Sequence, residues 1–108
     1  MVIFETSIFT KRITALLDDE EYRALQNHLM NLPGSGEIIQ GSGGIRKIRW
    51  GASGRGKRGG ARIIYFWATR YSQIFMLYAY AKNELDDLSK NQLSMLRKAV
   101  ASEFKDEE

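Results

Sequence analysis

The chain has no cysteine, one histidine and one proline among its 108 residues. Without cysteine there are no disulfides, no thiolate metal ligands and no cysteine nucleophile, a composition that fits a cytoplasmic protein. A lone histidine, His28, excludes paired-histidine acid–base catalysis and reads as a surface residue of a helix. No set of His, Asp and Glu has metal-ligand spacing, so neither a metal nor another cofactor is expected. Long hydrophobic runs are missing too. No apolar stretch approaches the roughly 20 residues needed to span a bilayer. The opening MVIFETSIF has neither the basic start nor the apolar core of a signal peptide. The expectation is one domain over residues 1–108, large enough for a core without staples, with no membrane partner.

What is present is a concentrated basic segment. The net charge of +3 and pI near 9.3 are mild, so distribution matters more than total. Of 16 lysines and arginines, eight fall between positions 46 and 70: Arg46, Lys47, Arg49, Arg55, Lys57, Arg58, Arg62 and Arg70. They lie on a basic strand, a glycine-rich loop and an apolar strand. Clustered cations beside aromatics on a sheet suit a phosphate-rich partner.

Periodicity places the elements. Val2-Ile3-Phe4 reads as a first strand. Thr6 or Ser7 caps a helix to about Leu17. Asp18 with Glu21 forms a capping box for a second helix, whose buried face is Tyr22, Leu25, Leu29 and Leu32. Pro33-Gly34 stops it. Ile38-Ile39 suggests a short strand. Ile45 to Trp50 alternates, with Ile45, Lys47 and Arg49 on one face and Arg46, Ile48 and Trp50 on the other. Ala61–Trp67 and Gln73–Ala81 are strands joined by a short polar link, hence antiparallel. Residues 83–88 form a turn or short helix. Ser89 with Gln92 is a second capping box, opening a helix that buries Leu93, Leu96, Val100 and Phe104. The expected order is β-α-α-β-β-β-α: an α+β domain with helices on one face of a small antiparallel sheet and the other face partly open.

Gly51-Ala-Ser-Gly-Arg-Gly-Lys57-Arg58 nearly spells a phosphate-binding P-loop. It is rejected because Arg58 stands where a Ser or Thr must hold Mg²⁺, and because the loop joins strand to strand. Its three cations, Arg55, Lys57 and Arg58, remain available to backbone phosphates. Lys47 and Arg49, two apart on a strand, point to the same face about 7 Å apart. Arg62 interrupts an apolar strand and needs a carboxylate partner or a wet surface. A shared face would make these three a cationic trough of phosphate size; otherwise they are a solvated charge row. Tyr80, near a strand end beside Lys82 and Asn83, is a candidate to stack on a base.

In order and spacing these pieces resemble toxins of the RelE/ParE-type superfamily, and most closely the HigB-type ribosome-dependent mRNA interferases. The resemblance spans nearly the whole chain. It rests on the two-helix N-terminal half, Ile45-Arg-Lys-Ile-Arg49, the basic loop ending in Gly60-Ala-Arg-Ile-Ile-Tyr65, and Tyr80-Ala-Lys-Asn-Glu-Leu-Asp-Asp-Leu88. It implies a RelE-like fold and mRNA cleavage in the ribosomal A site. The implied partners are ribosome, mRNA and a co-encoded antitoxin, such as a small helix-turn-helix protein, with operator DNA bound only through the antitoxin complex. The family's phosphate-surrounding positions match Lys47, Arg49 and Arg62, and a further basic position matches Lys82. Arg46, Arg55, Lys57, Arg58, Tyr80 and Asn83 are then candidate RNA contacts. The chain departs from the best-studied members in having Asn83 where they place an arginine, and no tyrosine beyond Tyr80.

The implied reaction is attack of a ribose 2′-OH on its adjacent phosphate, without a metal. Arg49 and Arg62 would stabilise the dianionic phosphorane through forked hydrogen bonds. Arginine holds its proton too tightly to be the base. Lysine near other cations does not, so Lys47 or Lys82 is a candidate acid or base. Two non-enzymatic readings compete: a gyrase-targeting ParE-like toxin, and a nucleic-acid-binding accessory domain. Neither requires the Lys47/Arg49/Arg62 constellation.

Overall fold

The computed structural model describes residues 1–52 and 56–104, with backbone alone at 52 and 56–59. The elements are β1 (Val2–Glu5), α1 (Ser7–Leu16), α2 (Asp19–Asn31), β2 (Glu37–Ile38), β3 (Ile45–Ala52), β4 (Gly56–Ala68), β5 (Gln73–Ala81) and α3 (Lys90–Glu103). They form an α+β fold around one five-stranded sheet of order β1-β5-β4-β3-β2. Both expected capping boxes are present. The Asp18 and Ser89 side chains accept from the amides of Glu21 and Gln92, whose side chains accept in return from the cap amides. Thr6 is the cap of α1.

Two features differ from the sequence expectation. The sheet is mixed, because β1 runs parallel to β5 while the remaining pairs are antiparallel. The helices also divide between the faces. Helices α1 and α2 cover Ile63, Tyr65, Ile74 and Met76. Helix α3 lies over Ile45, Ile64, Phe75 and Leu77, with Phe104 buried at its end. The sequence carries the reason: Ile63-Ile-Tyr-Phe-Trp67 is apolar without alternation, as a strand covered on both faces must be. Each large side chain so buried contributes about 1.5–3 kcal/mol. Leu32, expected in the core, is 57% exposed. It is the C-cap of α2, where the chain has already left helical geometry.

Beyond β1 the edge of β5 is covered by side chains and the start of α1. The Thr6 amide donates to the Met76 carbonyl (3.0 Å), its hydroxyl to that of Leu77 (2.9 Å), and the Arg12 guanidinium to that of Ala79. These bonds satisfy carbonyls that would otherwise template another strand. One irregularity in β5 matters for the site. Tyr65 pairs with Met76 but Ile64 pairs with Tyr78, leaving Leu77 as an extra residue. This bulge advances the register by one, so that Arg62 faces Tyr80 rather than Ala79.

Candidate functional site

Lys47 and Arg49 project from β3 to the α3 side of the sheet, on the same face as Ile45. Arg49 lies directly opposite Arg62 of β4, and Arg62 directly opposite Tyr80 of β5. Two arginines and a tyrosine thus form one row across three strands. Directly opposed side chains have Cβ atoms about 4.5–5.5 Å apart, and like charges so placed oppose folding. Arg62 is only 6% exposed, which raises that cost further. This row of two arginines and a tyrosine is therefore the candidate functional site.

The row borders a cleft of about 500 Å³. Lys47, Arg49, Arg62 and Lys82 line its cationic side. Lys82 is exposed, in the turn just after β5, but its amide donates to the Gly60 carbonyl (3.2 Å), extending the ladder by one bond and fixing its backbone. The Lys47 ammonium lies 3.4 Å from Asp87, in the turn before α3, and Asp86 also lines the cleft. This 82–88 segment contains no helix. Within it Glu84 accepts from the Ala81 amide (2.8 Å) and pairs with Arg12. The Ala81 N–H, and then the Arg12 guanidinium, hold the Glu84 carboxyl below the usual carboxylate range.

Several expected contacts are placed differently. Tyr80 is fully buried, so its ring offers no stacking face. Its hydroxyl, however, is buried without a hydrogen-bond partner among the described residues. Burial first, then Asp87, pushes it up to about 12 against the opposing pull of Arg62. At neutral pH it is therefore a protonated donor beneath the arginine row. Arg46 is turned away from Lys47 and Arg49 by strand alternation. It donates to the carbonyls of Gly34 (3.1 Å) and Gly36 (2.8 Å) and sits over the Trp67 ring, so it clamps the loop after α2. Asn83 is exposed in the turn and does not line the cleft. Arg55 lies outside the described residues, and Lys57 and Arg58 belong to β4 by backbone alone.

His28 is not the solvated residue its helix position suggested. It is half-buried, its ring 5.2 Å from that of Trp50, and its Nε2 lies 3.1 Å from the Ser35 hydroxyl. His28, Ser35 and Trp50 line the same cleft from the α2 side of the sheet, and Glu37 lines it beside its register partner Lys47. Sequence spacing cannot reveal this, because α2 meets β3 only through the tertiary fold. Among the described residues no cluster of His, Asp and Glu is able to hold a metal ion, and no helix is long and apolar enough to cross a membrane.

A family model described as the RelE toxin of the RelE/RelB toxin–antitoxin system matches residues 1–108. The chain belongs to the RelE toxin family. Its role is accordingly that of a toxin in a toxin–antitoxin pair, and a cognate antitoxin is its implied partner. RelE family toxins are in general endoribonucleases, an activity compatible with a cleft that concentrates cations around a buried arginine.

Proposed function

We propose that this RelE-family toxin is a ribosome-dependent endoribonuclease that cuts mRNA in the A site and so blocks translation. The observation that carries this reading is the register pair Arg49–Arg62 at the wall of a cleft that also holds Lys47 and Lys82. In the proposed reaction the 2′-oxygen attacks phosphorus and the bond to the 5′-oxygen breaks. The products are a 2′,3′-cyclic phosphate and a 5′-hydroxyl. One proton leaves the 2′-OH and one reaches the departing oxygen. Arg49 and Arg62 hold the nonbridging oxygens as charge develops on them. Tyr80 stands beside Arg62 in register, its buried hydroxyl without a hydrogen-bond partner among the described residues. Lys47 and Lys82 carry the proton transfers, Lys47 being positioned by Asp87. No metal takes part in this scheme.

Side chains of this kind make a slow catalyst unless the RNA is held in reactive geometry. Positioning is worth about 7–11 kcal/mol, and in this reading the ribosome supplies it. The test is primer extension on one mRNA, translated and free, with equal amounts of purified toxin. Cuts in phase with codons on translated mRNA alone are expected. Equally efficient cutting of naked RNA would refute ribosome dependence. Gyrase poisoning with intact mRNA would refute the nuclease reading.

A further inference from the structure

The cleft is larger and chemically more varied than a phosphate site requires. Its volume of about 500 Å³ falls in the range of small-molecule pockets, about 300–1,000 Å³. Only one side is cationic. Strand β2 pairs with β3 at Arg46 and Lys47 alone, so the edge of β3 from Ile48 onward is free of β2. The cleft continues around this edge onto the His28–Trp50 side.

Three observations describe that second side. The His28 and Trp50 rings stand at 50° to each other, both half-buried, forming an aromatic wall. The wall is held: Nε2 of His28 meets the Ser35 hydroxyl at 3.1 Å, and the Trp50 indole N–H donates to the Glu21 carbonyl at 3.3 Å. The loop carrying Ser35 and Glu37 is pinned as well. The Tyr65 hydroxyl donates to the Pro33 carbonyl (2.7 Å) and accepts from the Gly36 amide (2.9 Å), while Arg46 holds the carbonyls of Gly34 and Gly36. Glu37 stands opposite Lys47 in register, so its exposed side chain projects on the Lys47 face, between the phosphate-binding cations and the edge where the cleft turns to the His28–Trp50 wall.

We infer that this side is a nucleobase subsite, in which a base next to the bound phosphate packs on the His28–Trp50 wall and is selected by Glu37. The inference deepens the nuclease reading and rests on it for the identity of the ligand as RNA. Aromatic rings accept any base by stacking, so discrimination falls to the polar groups. A carboxylate only accepts hydrogen bonds. Adenine, cytosine and guanine each offer an exocyclic amino group. Uracil offers one N–H flanked by two carbonyl oxygens, which repel a carboxylate. The subsite therefore takes an amino-bearing base and disfavours uracil.

The test uses untagged full-length toxin, whose sole histidine gives a single imidazole signal that needs no assignment. The probes are the 3′-monophosphates of adenosine, cytidine, guanosine and uridine, and inorganic phosphate. The nucleotides with amino-bearing bases should shift the His28 resonance and phosphate should not. Uridine 3′-monophosphate should bind about tenfold more weakly, the scale of one hydrogen bond to a charged group. Glu37→Gln supplies a donor beside its acceptor, and should bring uridine within about twofold of cytidine. His28→Ala should weaken all four nucleotides about tenfold, within the range for loss of one stacked base. His28→Phe, which restores a ring, should recover most of that loss and so separates stacking from misfolding. Equal binding of uridine and cytidine by wild type, or a His28 signal unmoved by any nucleotide, would overturn the subsite. If the nucleotide pattern holds but translated mRNA stays intact, the subsite stands and the nuclease reading fails. If mRNA is cut while the pattern is missing, the reverse holds.

Discussion

Arg62 concentrates the conflict between folding and function in one side chain. It is nearly buried and stands opposite another arginine. Arg62→Ala should lower single-turnover cleavage on programmed ribosomes by about 10²–10³, the cost of removing one preorganised donor, while circular dichroism shows the fold retained. Tyr80→Phe should separate the same two effects. It removes a buried hydroxyl without a partner, so stability should hold or improve by about 1 kcal/mol, whereas cleavage should fall. Glu84 tests the acidic turn through pH. Its folded-state carboxyl titrates below the ordinary 4.5. Its contribution is thus present above that value and lost as pH falls through the folded one. Glu84→Gln should be less stable than wild type at neutral pH, and the gap should narrow in denaturant titrations as pH falls from 4.5 through the lowered folded-state value. At this scale the sequence disclosed part of the site. Lys47 and Arg49 were readable because alternation fixes their shared face, and Arg62 because a cation inside Ala61-Arg-Ile-Ile-Tyr65 stands out in an apolar strand. Arg46 was readable as lying on the other face, but its use in clamping the loop after α2 was not, because its carbonyl partners Gly34 and Gly36 are brought to it only by the fold. Tyr80 was misread because a one-residue bulge decides its neighbours.

At the scale of elements, helix boundaries were legible and packing partners were not. Capping boxes are local hydrogen-bond patterns written in four residues, so Asp18 and Ser89 announced their helices. The side of the sheet to which a helix returns depends on distant strands, and α3 accordingly went to the face expected to be open. Its attachment is concentrated at its end. No residue within α3 is buried, yet Phe104 is, against Phe4, Phe66, Tyr71 and Phe75. Phe104→Ala should cost about 3–5 kcal/mol if that pocket stays rigid, and less if it collapses. Amide hydrogen exchange should show the loss first in α3, because the β4–β5 ladder does not depend on it. The turn that leads into α3 also holds Asp87 against Lys47. The same variant should therefore loosen the mouth of the cleft, and a raised KM with little change in kcat would report it.

For the molecule as a whole, charge is laid out as a gradient rather than a balance. The acids of residues 18–21 and 103–108 lie far along the chain from the basic run of 46–62. Such asymmetry accelerates encounter with a polyanion and makes it salt-sensitive. Replacing Arg55, Lys57 and Arg58 together with Gln should weaken ribosome association and flatten its dependence on salt. The single-turnover rate at saturation should barely move, since these cations are assigned to encounter and not to chemistry. A collapse of that rate with unchanged affinity would instead put the loop in the active site.

The pairing of β1 with β5 also sets a clock. Val2 is partnered by Gln73, so the first strand made has no place in the sheet until the last strand exists. Translation at about 5–20 residues per second separates the two by roughly 4–14 s. Arg62 gains its neighbour Tyr80 later still. The cleft that Arg62 lines is thus completed only when β5 joins β4, so any chain cut short between these strands lacks the Arg49–Arg62–Tyr80 row.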